Sequence, residues 1–543
     1  MFNNVLPKLG LSLAIGIALV LALPILVIAA YLALPTDEIW QHLADTVLGD
    51  YLRNTVILVL GVGVGVLLLG LPTAWLSSMC EFPGRTWFEW ALLLPLAMPA
   101  YIIAYTYTGM LDFSGVVQSS LRAWFGWQAQ DYRFPEIRSL GGAISMLSLV
   151  LFPYVYLLAR AAFLTQSASA LEASRTLGAS LGQTVWRVSL PLARPAIITG
   201  LSLALMETLA DFGTVQYFGV NTFTTGIFRT WFGLGNQAAA AQLAAILLVA
   251  VFILVLLERW SRWQARYHSS GHKQVALPRY SLRGYRAGLA VLLCSVPLLL
   301  GFILPVGQLV FWVLTSAQSS LNAEFIELIF NSLSLASLAA VIALALALGL
   351  AYSKRVYNSR YLQLSVRIAA MGYAIPGTVI AVGVLIPFTW LDTQFNHWDN
   401  ALGLMLSGSL FTVLFAYQVR FLAVSLQTVE AGLGTITPSL DQAGRSLGLS
   451  SLGVLRRIHL PLLRSSLLTA VLLVFVDVLK ELPATLILRP FNFNTLAVRA
   501  YELASDERLA DAGLSALMIV CVGLIPVLLL SRAISQGRTG TMT

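Results

Sequence analysis

Four acidic residues interrupt two otherwise apolar stretches of this sequence. They are Glu207 and Asp211 in LSLALMETLADFGTV, and Asp477 and Glu481 in LLVFVDVLKELPAT. Carboxylate oxygens are hard ligands that suit a highly charged, hard cation rather than a soft one. Within each pair the spacing is four, which predicts that a continuous helix carries both carboxylates on one face. If the acids line a route through the membrane, they are predicted to bind a metal cation transiently.

The cost of charge in a membrane leaves two interpretations of these acids open. An isolated charge near the centre of a bilayer costs about 3 kcal/mol on insertion scales, so four charges facing lipid would cost roughly 10 kcal/mol. We therefore expect the acids to face a pathway or each other. The structural alternative is mutual hydrogen bonding with an ion pair to Lys480, which lies three residues from Asp477 and next to Glu481.

The composition is that of an all-α integral membrane protein. The 543 residues are 58% hydrophobic and 11% charged, with a mean hydropathy of +0.81, whereas soluble proteins carry about 25% charged residues. A helix crosses a bilayer with about 20 apolar residues. The first apolar run follows Lys8 without a small-residue cleavage pattern, so we interpret it as an uncleaved span. Twelve spans are predicted, near 9–34, 54–80, 88–111, 139–164, 196–218, 238–258, 287–315, 331–353, 364–391, 401–427, 466–488 and 511–531.

Lys and Arg residues are distributed unevenly between the two sides of these spans. Of 33, 24 fall on the side that holds both termini, and Lys480 falls within a span. Eight fall on the other side: Arg53, Arg122, Arg133, Arg138, Arg229, Arg489, Arg499 and Arg508. The positive-inside rule makes the first side cytoplasmic. The net charge of +8 is then explained by topology, and no nucleic-acid partner is predicted.

Residues 259–286 form a basic stretch with Gly and Pro that we interpret as a cytoplasmic linker. Within it, His268 and His272 have the spacing of a helical metal site, but no acidic or Cys ligand lies nearby, so a solvated loop is favoured. The three cysteines are far apart in the sequence and predict neither a disulfide framework nor a zinc site.

The chain is an internal duplication. Residue n aligns with residue n+270, as in Arg175/Arg445, Gly178/Gly448, Pro191/Pro461 and Arg229/Arg499. Six spans separate the copies, so both have the same orientation. The predicted domains are 1–53 (first span and outer loop), 54–258 (first transmembrane domain), 259–286 (linker), 287–330 (seventh span and outer loop), 331–531 (second transmembrane domain) and 532–543 (cytoplasmic tail).

Each copy contains one polar, arginine-bearing island on the predicted cytoplasmic side. We call them the first elbow, Glu172–Pro195, and the second elbow, Asp441–Ser465. Each is predicted to be a short helix, a left-handed turn at Gly178 or Gly448, and an amphipathic helix that ends at Leu-Pro before the next span. Two interpretations stay open: a helix resting on lipid headgroups, or a docking element for a cytoplasmic partner that is itself a dimer.

The first elbow carries the pattern Glu172, Ala173, Ser174, Gly178, Val188, Leu190 and Pro191. This pattern resembles the EAA loop of ABC-importer permeases. The second elbow matches it with Ala443, Gly448, Ile458, Leu460 and Pro461. It departs at Gln442 and Gly444, where the family has Glu and Ala, and Asp441 is expected to substitute for the acid. The resemblance implies ATPase-coupling residues at Glu172, Ala173, Arg175, Gly178, Pro191, Asp441, Gln442, Arg445, Gly448 and Pro461.

The resemblance also implies the ABC type-1 (MetI-like) transmembrane fold, with twelve helices in two homologous six-helix halves. In that family the loops fit grooves on a separate subunit, so a cytoplasmic ABC ATPase dimer that uses ATP and Mg is the implied partner. No nucleotide site is predicted in this chain, because none of Lys8, Lys273, Lys354 and Lys480 follows the glycine of a GxxxxGK[ST] loop. We expect the chain to bind no cofactor and not to be an enzyme.

Two segments, Glu207–Gly235 and Lys480–Leu509, are similar to the corresponding regions of fused ferric-iron permeases. This similarity implies ferric iron as cargo and a periplasmic or extracellular iron-binding protein that docks on outer loops, including 112–138 and 489–511. It also implies a place in the bacterial inner (plasma) membrane with both termini cytoplasmic.

Other functions stay open at this point. Fused permeases for thiamine share the twelve-span plan, and spermidine-type or phosphonate-type relatives share the loop. A proton-coupled secondary transporter could use the four carboxylates, although the duplicated elbow would then be unexplained. A membrane-bound enzyme is disfavoured because the five histidines form no constellation with acids or cysteines in the spans: His42, His268, His272, His397 and His459.

Overall fold

The structure is a computed structural model that describes residues 5–34, 38–164, 166, 176, 178, 180–263, 279–316, 322–357, 359–398 and 406–539. Most of these residues are helical. The strands of the described part are β1 (Cys80–Glu81) and β2 (Tyr280–Ser281), which pair in parallel. The predicted all-α class is confirmed.

The helices follow one another in two long series. The first series is α1 (Val5–Ala30), α2 (Glu38–Thr46), α3 (Leu48–Met79), α4 (Arg85–Ala91), α5 (Ala100–Leu111), α6 (Val116–Phe125), α7 (Leu140–Leu164), α8 (Leu181–Thr184), α9 (Leu190–Ala210), α10 (Gly213–Tyr217), α11 (Phe223–Phe228) and α12 (Gln237–Trp263). The second series is α13 (Tyr285–Leu298), α14 (Leu304–Ser316), α15 (Ala323–Tyr357), α16 (Arg360–Ala369), α17 (Gly377–Trp398), α18 (Leu410–Thr435), α19 (Pro438–Ser446), α20 (Ser451–Val454), α21 (Leu460–Leu479), α22 (Pro483–Leu488), α23 (Leu496–Ser505) and α24 (Leu509–Thr539).

Shorter helical segments connect some of these helices. Those of the described residues with 3-10 geometry are Tyr31–Ala33, Leu94–Ala97 and Ala370–Ala374. Those with π geometry are Val185–Ser189, Arg229–Gly233, Leu299–Ile303 and Leu455–His459.

The number of spans agrees with the sequence. Eleven helices of the described residues are long and apolar enough to cross a membrane, and a pair bent by 91°, Arg85–Ala97 with Ala100–Phe125, raises the number to twelve. The prediction of about twelve spans is confirmed. The predicted third span, 88–111, is this bent pair rather than one straight helix, because Pro99 lies at the break with an extended backbone (ψ 142°).

The repeat seen in the sequence recurs in the helices at the same offset. α7 and α18 begin at Leu140 and Leu410, and α9 and α21 begin at Leu190 and Leu460. The π-helical segments before α9 and α21 begin at Val185 and Leu455, and α10 and α22 begin at Gly213 and Pro483. The starting points of these helices are therefore duplicated together with the residues.

Helix packing divides the chain into two compact units. The repeat-1 unit comprises Leu43–Thr225, Val249–Ser320 and Ala500–Thr543, and the repeat-2 unit comprises Met1–His42, Gly226–Leu248 and Leu321–Arg499. Each unit thus takes helices from both halves of the sequence. The predicted domain boundaries describe the sequence repeat, and they stay a prediction.

In the repeat-1 unit, α3, α7 and α9 pack against one another. Gly200 of α9 lies on the backbone of α7: a Cβ there would be 2.8 Å from the carbonyl oxygen of Tyr154 and 2.9 Å from the Cα of Val155. Small residues permit such close approach between helices in lipid, where contact rather than the hydrophobic effect drives association. α14 and α24 of the same unit pack on each other and on α5.

In the repeat-2 unit, α15, α18 and α21 form the equivalent three-helix group, and α1 packs on α15, α16, α17 and α18. Gly383 of α17 makes the approach to α1 possible, because a Cβ there would be 2.6 Å from the carbonyl oxygen of Pro24. The acidic segments identified in the sequence lie at the end of α9 in one unit and at the end of α21 in the other.

Candidate functional site

The two acid-bearing spans end earlier than the sequence predicts. α9 ends at Ala210 and α21 ends at Leu479, whereas the predicted spans run over 196–218 and 466–488. A short helix, α10 or α22, follows each break. The second acid of each pair lies in the break, so the prediction that both carboxylates of a pair share one face of a continuous helix is wrong. The physical reason is that each of these acids caps the short helix that follows it.

Asp211 is the capping acid of repeat 1. Its carboxylate accepts hydrogen bonds from the Thr214 hydroxyl at 2.9 Å and from the Val215 backbone N–H at 3.1 Å. These are donors of the first turn of α10, which lack partners inside the helix. The Thr224 hydroxyl donates to the Asp211 carbonyl oxygen at 2.7 Å. Among the described residues, no Lys, Arg or His forms an ion pair with this half-buried carboxylate.

Glu481 is the capping acid of repeat 2, and it is paired with a cation. Its Oε1 accepts a hydrogen bond from the Ala484 backbone N–H at 2.8 Å in the first turn of α22. The Arg420 guanidinium of α18 donates to the same oxygen at 3.3 Å. The side chains of Arg420 and Glu481 are only 11% and 4% exposed. Removing one partner of such a buried pair leaves the other charge uncompensated, at a cost of about 3–5 kcal/mol.

Arg420 is a site residue that the sequence analysis missed. It is the one charged residue of the predicted span 401–427, and a lone charge inside a span indicates a buried partner. That signal predicts that a partner exists but not which residue it is. Gly377 completes the cluster, because a Cβ there would overlap Arg420 Nη1 and lie 2.7 Å from Glu481 Oε1.

The first acid of each pair remains inside its span. Glu207 is half-buried in α9. Asp477 is half-buried in α21 and forms an ion pair with Lys480, at 2.9 Å between Oδ1 and Nζ. The ion pair named in the structural interpretation is therefore present in repeat 2. Repeat 1 has Ala210 at the aligned position of Lys480.

The described residues contain no group of three or more His, Cys, Asp or Glu side chains that could hold a metal ion. Asp211, Asp477 and Glu481 are instead engaged in caps and ion pairs. Transient metal binding by the four acids stays a prediction. His268 and His272 lie outside the described residues.

The second elbow has the predicted helix, turn and helix. At the end of α19, the Leu449 N–H donates to the Gly444 carbonyl at 3.0 Å, and the Gly448 N–H donates to Arg445 at 2.9 Å. This is the hydrogen-bond pattern of a glycine C-terminal cap. Gly448 has φ 81°, which glycine adopts without a steric penalty. Ser450 then caps α20 with its hydroxyl.

The described part of the first elbow repeats this geometry. Gly178 has φ 80°. Ser180 and Gln183 cap α8 reciprocally: the Gln183 N–H donates to Ser180 Oγ at 3.4 Å, and the Ser180 N–H donates to Gln183 Oε1 at 2.9 Å. The predicted coupling residues Glu172, Ala173 and Arg175 lie outside the described residues.

The helix after each turn does not end at Leu-Pro, so that prediction is wrong. α8 continues through Val185–Ser189 into α9, and α20 continues through Leu455–His459 into α21. In both π-helical segments the residue before the proline bonds to the carbonyl five residues back. The wider turn accommodates Pro191 and Pro461, which donate no hydrogen bond and crowd an ordinary helical turn. Each elbow is thus joined to the acid-bearing span by continuous helix.

Asp441, predicted as the substitute docking acid, is largely enclosed. Its side chain is 15% exposed and contacts Arg355 and His459. Burial raises the pKa of Asp441, but the hydrogen bonds from Arg355 and His459 outweigh burial and hold this pKa below its usual value. Gln442 and Arg445 are exposed. These two residues, rather than Asp441, are therefore accessible to a partner.

An arginine joins two of the predicted outer loops of the repeat-1 unit. The Arg138 guanidinium donates to both carboxylate oxygens of Glu507, at 2.6 and 2.7 Å, and lies 5.2 Å from the Tyr217 ring centroid. Glu507 has φ 61°, a conformation that residues other than glycine rarely adopt. The hydrogen bond from Arg138 lowers the pKa of Glu507, and burial partly offsets this effect.

The predicted docking region 112–138 presents an aromatic surface. Trp124 and Phe125 of α6 are 81% and 61% exposed. Phe125 stacks on Trp127 at 4.6 Å between ring centroids, and Trp127 stacks on Tyr132 at 5.5 Å. Exposed, stacked aromatic rings with polar neighbours are typical of protein interfaces and of the edge of a membrane.

Known proteins share this architecture. A family model described as binding-protein-dependent transport system inner membrane component matches residues 4–263 and 342–539. The Fe(3+)-transport system permease protein FbpB 2 of Haemophilus influenzae is 30% identical over 492 residues, which cover 89% of this chain and 90% of that protein. The probable ABC transporter permease protein y4fN of Sinorhizobium fredii is 24% identical over 517 residues, covering 90% and 88%.

A shorter relative corresponds to one copy of the repeat in size. The molybdenum transport system permease protein ModB of Escherichia coli is 29% identical over 197 residues, which cover 35% of this chain and 83% of that protein. The family model matches two ranges of the chain, and the structure contains two equivalent three-helix groups. The chain also aligns over nearly the whole length of a full-size permease. The chain therefore belongs to the family of binding-protein-dependent transport system inner membrane components, as a fused, two-copy ABC permease.

Proposed function

We propose that this chain forms the translocation pathway of an ABC importer for ferric iron in the bacterial inner membrane. In this proposal both termini and both elbows face the cytoplasm, where a separate ATPase dimer binds the elbows and hydrolyses ATP with Mg. A periplasmic or extracellular iron-binding protein delivers the cargo to the outer loops. Closure of the ATPase pushes the elbows and rocks the attached spans. The relative named for Fe(3+) transport, aligned over 89% of this chain, supports the cargo.

The duplicated elbow is the observation that carries the coupling to an ATPase. Gly178 and Gly448 have nearly the same φ, 80° and 81°, and among the described residues beyond the adjacent ones no atom lies within 4 Å of a Cβ at either glycine. Both turns therefore project into open space. Leu447 at the second turn is 83% exposed, an apolar contact suited to a groove on a partner. A solute pump without an ATPase would leave two such projecting turns unexplained.

The acids of repeat 1 support a cationic cargo. Glu207 and Asp211 place two carboxylates at the end of α9, and Asp211 has no cationic partner among the described residues. An oxyanion such as molybdate or a phosphonate would be repelled there, whereas a ferric ion would be attracted. A cation that moves through a wet pathway needs only transient ligands, which is consistent with acids that also cap a helix.

Cargo is tested by uptake of radiolabelled iron into proteoliposomes that contain the permease, its ATPase and the iron-loaded binding protein. We expect Glu207→Ala to lower the rate about tenfold, which corresponds to about 1.4 kcal/mol of lost interaction in the pathway. Leu203→Ala, one turn earlier in α9, is the matched control and should change the rate less than about twofold. Asp477→Ala tests the second copy in the same assay.

Three results would contradict the cargo proposal. Unchanged iron uptake in both Glu207→Ala and Asp477→Ala would remove the acids from the pathway. Uptake of thiamine, spermidine or a phosphonate in place of iron would assign another solute. Uptake that follows a proton gradient without the ATPase would indicate a secondary transporter.

Coupling is tested at the two turns. We expect Gly178→Pro combined with Gly448→Pro to abolish stimulation of the ATPase, because proline is restricted to φ near −65° and cannot adopt a left-handed turn. Gly178→Asn with Gly448→Asn is the control and should retain most of the stimulation, because asparagine tolerates positive φ. Full stimulation in the double proline variant would refute docking at the elbows.

A further inference from the structure

One arginine fastens the second elbow to a membrane span. Arg355 lies in the last turn of α15 and donates from Nε to Asp441 Oδ2 of α19 at 2.8 Å. Its terminal nitrogens donate to the carbonyl oxygens of Leu433 at 2.6 Å and Ile436 at 2.9 Å, where α18 ends. A single guanidinium therefore holds three elements of the repeat-2 unit together: α15, the end of α18 and α19.

A buried histidine completes this contact. His459 Nε2 lies 2.6 Å from Asp441 Oδ1, and the His459 side chain is fully buried. His459 belongs to the π-helical segment that leads into α21. The Tyr352 ring packs edge-on against His459 at 5.6 Å, and the Tyr352 hydroxyl donates to the Ser451 carbonyl oxygen at 2.5 Å. The elbow is thus bound to α15 on both sides of its turn.

The strength of this contact follows from its charges and burial. The side chains of Arg355 and Asp441 are 18% and 15% exposed. Hydrogen bonds between charged groups are roughly twice as strong as neutral ones, and a planar guanidinium fixes direction as well as distance. A helix held in this way cannot pivot freely about the glycine turn.

We propose that Asp441, Arg355 and His459 form a strut that transmits motion of the second elbow to α15 and α18. In this role Asp441 is a positioning residue inside the permease and not a docking contact for the ATPase. The inference rests on the proposed function, because it concerns how force applied at the elbow reaches the spans. Without the strut, a push on α19 bends the chain at Gly448 and is not passed on.

The residues of this strut belong to the second copy. At the aligned positions the first copy has Leu171 for Asp441 and Ser189 for His459. A leucine carries no charge for an arginine to bind, so the two sequences differ in this respect. Replacing Asp441 with the leucine of the first copy therefore removes the charge that Arg355 binds.

The test uses the assembled permease, ATPase and binding protein in proteoliposomes and measures iron taken up per ATP hydrolysed. We expect Asp441→Leu to leave ATP hydrolysis within about twofold of wild type and to lower uptake per ATP about tenfold, as loss of a charged hydrogen bond implies. Asp441→Glu should restore most of the ratio. Lys354→Met is the matched control. Lys354 is adjacent to Arg355 in α15, but it forms its ion pair with Glu430 of α18 and not with a residue of α19.

The outcomes separate the strut from the proposed function. An unchanged ratio in Asp441→Leu, or a ratio lowered equally in Lys354→Met, overturns the strut. Asp441→Asn, which keeps the shape and removes the charge, replaces Asp441→Leu if that variant does not assemble, and an unchanged ratio again overturns the proposal. Failure of the wild-type chain to bind any ATPase refutes the proposed function instead.

Discussion

The two copies of the repeat carry the same cap in a different electrostatic setting. At the end of α9, Asp211 accepts a hydrogen bond from the Val215 N–H of α10, and at the end of α21, Glu481 accepts one from the Ala484 N–H of α22. Glu481 is also bound by Arg420, whereas the aligned residue of the first copy is Val150. The two copies thus share the break and the short capped helix, but they differ in the charged residues around the capping acid.

This difference separates what the broken helix needs, a hydrogen-bond acceptor, from what it does not need, a charge on that acceptor. A short helix that begins inside a membrane exposes N–H groups that lipid cannot satisfy, so an acceptor is needed at the break in both copies. The charge of that acceptor is not required by the cap. Repeat 2 pairs Glu481 with Arg420 and Asp477 with Lys480, whereas Asp211 of repeat 1 forms no ion pair among the described residues.

The largest expected effect comes from making the second copy resemble the first. We expect Arg420→Val to destabilise the protein by about 3–5 kcal/mol, because it leaves the Glu481 carboxylate buried and unpaired. Thermal unfolding followed by size-exclusion chromatography in detergent measures this loss. Adding Glu481→Gln should recover most of the stability, since no charge then remains. Equal unfolding temperatures for Arg420→Val and wild type would contradict the comparison.

Neutral isosteres of the two capping acids should have opposite signatures. Asp211→Asn keeps an acceptor for α10, so we expect stability to change by less than about 0.5 kcal/mol while iron uptake falls. Glu481→Gln also keeps an acceptor but leaves Arg420 unpaired, so we expect a loss of about 2 kcal/mol or more. Unfolding temperature and uptake are measured on both variants. The same signature in both would show that the copies are equivalent after all.

A smaller effect is expected at the aligned positions 480 and 210, where repeat 2 has a lysine and repeat 1 has an alanine. Lys480→Ala leaves Asp477 without its ion pair and makes repeat 2 more negative, so we expect KM for iron uptake to fall about fivefold, or about 1 kcal/mol. Ala210→Lys should raise KM by a similar factor. A change of kcat alone in both variants would contradict a role in cargo attraction.

The smallest effect is expected for the exposed ion pair of Arg138 and Glu507. The pKa of Glu507 is lower in the folded state, so its contribution to stability is present above the unfolded pKa and is lost as the pH falls through the folded pKa. We expect Glu507→Gln to cost less than about 1 kcal/mol at pH 7, because solvent screens the pair, and nothing once the pH lies well below the folded pKa of Glu507. Asp506→Asn is the control. A cost that does not change with pH would refute the ion pair.

Much of the fold can be predicted from the sequence, because its signals are local. Apolar runs of span length predict the number of spans, and a repeat at a constant offset predicts two equivalent frames. The glycines Gly178 and Gly448 predict left-handed turns, and both turns are present. Each of these features depends on the chemistry of one segment, which its own residues specify.

The contacts that give the site its character depend on tertiary structure. Glu481 and Arg420 are 61 residues apart, and Asp441 and Arg355 are 86 residues apart, so no spacing rule relates them. The sequence shows that a buried charge needs a partner, but only the packing of α15, α18 and α21 selects it. The same is true of the breaks after Ala210 and Leu479, where hydropathy continues but an acid that caps the next helix ends the span.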